Sequence, residues 1–273
     1  MRSKYPAFPY LLFMVIFIIV PLLMVAYFAF TTSSGAFTLD NISRVGIYFP
    51  VIIKSLFLAL IATVICLVLG YPFAYIMAKK TSNIRRTMFM LIMLPMWMNF
   101  LLRTYAWMTI LENNGLINRF LGLFGIGPLE LINTQGAVVL GMVYDYLPFM
   151  IVPLYTVLMK MDNSLIQAAQ DLGGNPFQVF TRVILPLSMP GISTGITMVF
   201  IPSVSTFIIS RMLGGGSELM IGDLIEMQFT GNTYNLNLGA AISFVLMVII
   251  LLCMSVLNQF DSDESEKEGR VIV

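Results

Sequence analysis

The sequence contains no histidine, so imidazole metal ligands, histidine-based catalytic triads and imidazole proton relays are excluded. Its two cysteines, Cys66 and Cys253, lie inside apolar runs and read as small core hydrophobes, not as a disulfide framework or a thiolate metal site. The remaining chemistry belongs to isolated carboxylates, aromatic rings and prolines. Asp145 is the clearest case. It lies nine residues beyond Gly136 in an apolar run, which is about 14 Å along a helix at ~1.5 Å per residue. That depth is near the middle of a hydrocarbon core of roughly 30 Å, where an ionisable group must face protein or water. Pro148 has no N–H for the carbonyl of Tyr144, so a carboxylate, a free carbonyl and the rings of Tyr144 and Tyr146 come together as a site for a cationic solute. The alternative is structural: Asp145 pairs with Arg103 or hydrogen-bonds a neighbouring helix. Trp97 and Asn99 follow Pro95, and a tryptophan face attracts cations; the alternative for Trp97, and more so for Trp107, is an interfacial anchor. A third acidic group, Glu218, Asp223 and Glu226, falls in the segment from Arg211 to Asn237, which reads as a glycine-rich turn and a short helix around Met220–Phe229. It is either a docking or gating surface with an acidic bias or a solvated loop.

The elements that hold these residues follow from composition. The chain is 58% hydrophobic and 11% charged, against roughly 45–50% and about 25% in soluble globular domains. Mean hydropathy is +0.89. The formal charge of +1 leaves no basic footprint for nucleic acid. The charges divide the chain into six apolar runs long enough to span: Ala7–Phe30, Ser55–Ala78, Thr87–Ile110, Gly136–Leu158, a fifth between Arg182 and Arg211, and a sixth centred on Gly239–Phe260. An all-α membrane protein is therefore expected. The first run exceeds the ~7–15 residues of a signal-peptide core and has no small-x-small cleavage site after it, so it is expected to remain as a span. With the N-terminus inside, ten basic residues fall on the inner side and five on the outer, and the short segment Lys79–Arg86 holds four of the ten with no acid. Both termini are accordingly expected on the cytoplasmic side.

The inner connection between the fourth and fifth runs carries helical signals of its own. Asn163 or Ser164 can cap a short helix, along which Leu165, Ala168, Ala169 and Leu172 form an apolar stripe. Gly173-Gly174 stops it, and Asn175-Pro176 restarts a second helix as N-cap and first helical residue. Two helices joined at a glycine elbow are expected.

Gln167-Ala168-Ala169, three residues, Gly173, nine residues and Val183-Ile184-Leu185-Pro186 resemble the EAA loop of ABC-importer permeases, with Gln167 standing where the family pattern has Glu. The resemblance runs from about Tyr10 to Phe260. Leu69-Gly70-Tyr71-Pro72-Phe73-Ala74, Leu147-Pro148-Phe149-Met150, Leu185-Pro186-Leu187-Ser188-Met189-Pro190-Gly191 and Leu213-Gly214-Gly215-Gly216 with Leu219-Met220-Ile221-Gly222 look like the spermidine/putrescine permeases of that family. Permeases for iron, thiamine and other small solutes share much of this patterning.

The resemblance implies a type I importer permease fold of six transmembrane helices with a cytoplasmic coupling helix, in a bacterial inner membrane. It divides the chain into an N-terminal part (1–50), a permease core (51–258) with the EAA loop at 164–186, and an acidic cytoplasmic tail (259–273). Leu165, Gln167, Ala168, Ala169, Asp171, Leu172, Gly173 and Pro186 are then the candidate ATPase-coupling residues. Trp97, Asn99, Tyr144, Asp145 and Tyr146 are candidates for the solute path. The implied partners are a second permease chain, an ATPase dimer and an extracytoplasmic solute-binding protein, and the implied solute is a polyamine. No Gly-x-x-x-x-Gly-Lys-Ser/Thr loop occurs. The chain is thus expected to be no enzyme and to bind no cofactor, with ATP and Mg held by the ATPase. A membrane-embedded enzyme would need His-Glu-x-x-His, Gly-x-Ser-x-Gly or a carboxylate cluster, and a simple channel would leave the elbowed loop unexplained.

Overall fold

The computed structural model describes residues 8–216, 218–231 and 234–271, with side chains from 10 to 256 within that set. The inner bases Arg2 and Lys4 and the side chains of the acidic tail 259–273 lie outside the described residues. Among those described, the regular structure is helical, and the one β-bridge is the isolated pair Thr31 and Phe37.

Helix α1 (Tyr10–Ala29) is the first span and contains a π-helical turn at Val15–Ile19. Its outer face is bare, and the last helix is the main element it packs on. Two asparagines secure its C-terminal end. Asn41 Nδ2 donates to the carbonyls of Ala29 and Thr31 at 3.2 and 2.9 Å, and Asn237 Nδ2 to those of Phe28 and Thr31 at 3.1 and 2.7 Å. Carbonyls that a helix end leaves without intrahelical donors are thereby satisfied away from water.

Helix α2 (Phe49–Lys79) runs unbroken through Pro72. It packs against α6 (Gln135–Lys160) and α9 (Met189–Ser205), and these three form the centre of the molecule. The α6–α9 contact is close because Gly195 lies against it: a Cβ there would come within 2.6 Å of Met150 Sδ. The last helix, α12 (Leu236–Val271), covers α1 and the short helix Asp40–Val45 that precedes α2.

Two spans are broken. The expected continuous helix over Thr87–Ile110 is instead α3 (Ser82–Met93), a 3₁₀ turn at Leu94–Trp97, and α4 (Phe100–Leu111), with a bend of 90° between the two halves. The cause is local. Pro95 removes an amide from the ladder, Met98 is extended, and Asn99 starts a new helix by accepting from Leu101 N at 2.8 Å. A short helix, α5 (Leu116–Gly122), follows. The second break lies between α8 (Pro176–Leu187) and α9, which meet at 63°. Between α6 and α8 lies α7 (Asn163–Asp171); between α9 and α12 lie α10 (Ile208–Leu213) and α11 (Ile221–Thr230). Four single helices and two bent pairs make six spans.

Candidate coupling surface and solute path

Helix α7 lies across the end of the bundle where α2 and α6 finish. Its cap is Asp162, one residue before the expected Asn163 or Ser164, and its carboxylate accepts from Ser164 N at 2.9 Å. That hydrogen bond to the ionised form holds the Asp162 carboxyl below the usual carboxylate range. Gly173 has φ +82°, the left-handed geometry that ends the helix, and its N–H donates to Gln170 O at 2.9 Å. Asn175 and Gln178 then form a reciprocal capping box that starts α8, with Pro176 in the first turn.

The stripe read along α7 divides. Ala169, together with Ile166, packs into the core cluster of α2, α6 and α8. Leu165, Ala168 and Leu172 point away from the chain, Leu172 at 89% exposure, and Gln167, Asp171, Gly173 and Pro186 are also exposed. Phe177 of α8 adds a further bare ring beyond the elbow. Counting residues showed an apolar side to α7; it did not show that the side has two halves, because Ile166 rather than Leu165 is the residue that seats the helix. Behind α7, a cavity of about 340 Å³ lined by Tyr75, Lys79, Leu158, Met161, Asn163 and Ile166 keeps it from packing flush on the bundle.

Deep in the bundle, Asp145 is buried on α6 and faces Arg103 on α4, with Arg103 Nη1 3.1 Å from Asp145 Oδ1. Arg103 is 8% exposed. Of the two readings of Asp145, an ion-pair partner and a path residue, this geometry contains the first. The alignment is poor: Nη1, Nε and Oδ1 have no hydrogen-bond partner. A buried polar group left so costs roughly 1–3 kcal/mol. The guanidinium lies 5.9 Å from the ring centres of both Phe100 and Tyr144. Tyr146 reaches the carbonyl of Pro202 at 3.5 Å.

Tyr144, Asp145 and Tyr146 therefore share one neighbourhood, but Trp97 and Asn99 do not join it. Trp97 is 83% exposed, and Asn99 caps α4. The indole at the site is that of Trp107, edge-on to Tyr144 at 5.4 Å. The bend at Pro95 accounts for the exchange, since it turns Trp97 outward and brings the next helix, with Arg103 and Trp107, onto Asp145. The signal for Arg103 was a lone base in an apolar run. For Trp107 it was the four-residue spacing from Arg103, which puts both on one helix face.

At the opposite end of the bundle the three acids are engaged internally. Glu218 pairs with Lys54 of α2, and Glu226 pairs with Arg211 of α10. Asp223 is 1% exposed and off the surface. It accepts from Ser210 Oγ at 2.6 Å and from Met220 N at 2.9 Å, while Ser55 Oγ of α2 accepts from Ile221 N at 2.8 Å. The start of α11 is thus satisfied by Asp223 of the helix itself and Ser55 of α2, with Ser210 of α10 bracing the Asp223 carboxylate. Burial raises the Asp223 carboxyl, against its hydrogen bonds and Arg211. Arg211, followed by Thr230, holds Glu226 below the usual range. The sequence placed the short helix almost at its observed bounds but read its acids as an outward bias; folding pairs them. Among the described residues no group of three or more metal-ligating side chains forms.

Comparison with known proteins adds to this geometry. The family described as "Binding-protein-dependent transport system inner membrane component" matches residues 2–262. The chain is 40% identical over 253 residues to the spermidine/putrescine transport system permease protein PotB of Escherichia coli (strain K12), covering 89% of this chain and 92% of that one. It is 39% identical to PotB of Haemophilus influenzae over 253 residues, covering 89% and 88%. It is 32% identical to the inner membrane ABC transporter permease protein YdcU of E. coli, covering 76% and 70%. Among solved structures, a chain of a bacterial ABC transporter involved in the import of the acidic polysaccharide alginate has the same fold, with a TM-score of 0.74 over 93% of each chain at 16% identity.

Proposed function

The chain belongs to the family of binding-protein-dependent transport system inner membrane components, and from that premise we propose that it is a permease chain of an ATP-driven importer of linear polyamines. The single observation that carries the coupling half of this reading is α7. It is a capped helix seated by Ile166 and Ala169, with Leu165, Ala168 and Leu172 facing away from the chain. Such a face serves an ATPase dimer, a separate chain that holds ATP and Mg. When nucleotide closes that dimer, α7 moves with it, and the spans pass between inward-open and outward-open forms. A shift of this kind requires that the two nucleotide states contact α7 differently. A second permease chain completes the path, and an extracytoplasmic binding protein delivers solute at the end that carries α10 and α11. Both termini and α7 are then cytoplasmic, consistent with the four bases of Lys79–Arg86.

The polyamine half of the reading is supported by the curated relatives and by Asp145 in its aromatic setting. One carboxylate cannot balance a di- or trivalent cation, so the second permease supplies further acceptors and holds the solute weakly enough for release. The test is uptake by proteoliposomes holding the full complex with its cognate binding protein. Spermidine or putrescine should accumulate only with ATP inside. Accumulation of iron or thiamine in place of polyamines overturns the solute assignment, and uptake without ATP overturns the importer.

A further inference from the structure

The pair formed by Arg103 and Asp145 is buried, charged and under-satisfied. Ion pairs that serve only as struts in a low-dielectric interior are kept by good alignment and by hydrogen bonds to every remaining donor and acceptor. This pair has neither: Nη1 and Oδ1 are near each other at 3.1 Å without a hydrogen bond, and Nε has no partner at all. The two halves also sit on elements of different kinds. Asp145 is in the middle of α6, a continuous helix at the centre of the bundle. Arg103 is on α4, which the 90° break at Leu94–Trp97 separates from α3. Leu101, Leu102 and Tyr105 on the far side of α4 are bare. Arginine can therefore withdraw with α4 while the carboxylate stays in place.

The surroundings of the guanidinium suit another cation as well. Two ring faces, Phe100 and Tyr144, stand 5.9 Å from it, and Trp107 backs Tyr144. Aromatic faces attract an alkylammonium as they attract a guanidinium. An ammonium is a compact point charge with three rotatable donors, and it can meet the free lone pair on Oδ1 that the flat, fixed guanidinium does not.

We infer that Arg103 is a tethered stand-in for the solute: it occupies Asp145 in the resting protein and is displaced by a protonated primary amine of the cargo. The inference rests on the polyamine reading and adds to it a residue that determines when the path is open. It gives a reason for a cation in a path for cations. Without Arg103, Asp145 would be an unpaired buried charge whenever the path is empty.

The experiment uses the full complex with its binding protein, in proteoliposomes. Asp145→Asn should lower spermidine uptake severalfold at normal yield of assembled complex. Arg103→Gln should lower the spermidine concentration that gives half-maximal uptake severalfold, because no tethered cation then competes for Asp145, and the double variant should behave like Asp145→Asn. In Arg103→Ala, methylguanidinium should inhibit uptake by refilling the vacated place, while the unmodified complex resists it. A purely structural pair gives a different pattern: both single variants lose assembled complex, and the double variant regains yield and uptake. That result overturns the inference, as does an Arg103→Ala complex indifferent to methylguanidinium. If the unmodified complex takes up no polyamine, the proposed solute fails and this inference fails with it; the first two outcomes overturn this inference alone.

Discussion

Asp223 sits three residues into α11, where its carboxylate accepts the Met220 amide from behind and the Ser210 hydroxyl from α10. This is the return half of a capping box, made by a buried acid. Burial is the main influence on it and raises its proton affinity. An acid whose folded-state pKa is raised contributes stability that is fully present below its unfolded pKa and lost as pH rises through the folded one. At neutral pH the ionised form is therefore the less stable occupant. Asp223→Asn keeps an acceptor for the Met220 amide and removes the charge. Its apparent Tm should equal or exceed that of the unmodified protein at pH 7, and the gap should close as pH falls into the carboxylate range. Asp223→Ala should lower Tm, because it orphans the Met220 N–H at a cost of about 1–3 kcal/mol, while the Ser210 hydroxyl keeps the Phe207 carbonyl. Thermal scans in detergent at several pH values check both. A residue read as a surface acid would give the opposite pattern, with Asp223→Ala nearly silent.

At the scale of an element, α7 separates two roles that one stripe of apolar residues had joined. Ala169 packs with Ile166 into the bundle, and Ala168 faces outward. Ala169→Asp should lower Tm, because a carboxylate is pushed against the apolar cluster of α2, α6 and α8 with no partner. Ala168→Asp should leave Tm within a degree or two and abolish solute-stimulated ATP hydrolysis by the complex. Gly173→Val should resemble neither. Its φ of +82° is strained for any β-branched side chain, so the elbow should shift and weaken coupling while the six spans still insert. Measuring Tm and stimulated hydrolysis together separates the three, and equal loss of both properties in the Ala168 and Ala169 variants would contradict the division. The glycine elbow and the Asn175-Pro176 restart were legible in the sequence because each rests on the backbone freedom of one residue or on a contact three residues away. The division of α7 was not legible, because it depends on which side of the helix the bundle occupies.

At the scale of the molecule, the proposed orientation has a direct test. Asn83, in the first turn of α3, and Asn114, between α4 and α5, are both exposed. With Cys66 and Cys253 replaced, a cysteine at 83 should react with an impermeant maleimide only from the cytoplasmic side, and one at 114 only from outside. The reverse pattern would refute the orientation. What the sequence determined by itself was everything carried by local chemistry or by the solvent the chain must face. A membrane interior demands long apolar helices with their backbone groups paired internally, so the helices, their number counted as spans, and the family pattern from Tyr10 to Phe260 were readable from charge spacing and motif. What only the tertiary structure decided was which polar groups meet. The run Thr87–Ile110 read as one span, and the 90° break beside Pro95 sends Trp97 outward and brings Arg103 and Trp107 to Asp145. Lys54 and Glu218, or Asp223 and Ser210, lie far apart or on different elements until the helices pack. Such pairings are set by crossing angles and helix rotation, which arise from side chains filling space between elements and leave no period in the chain.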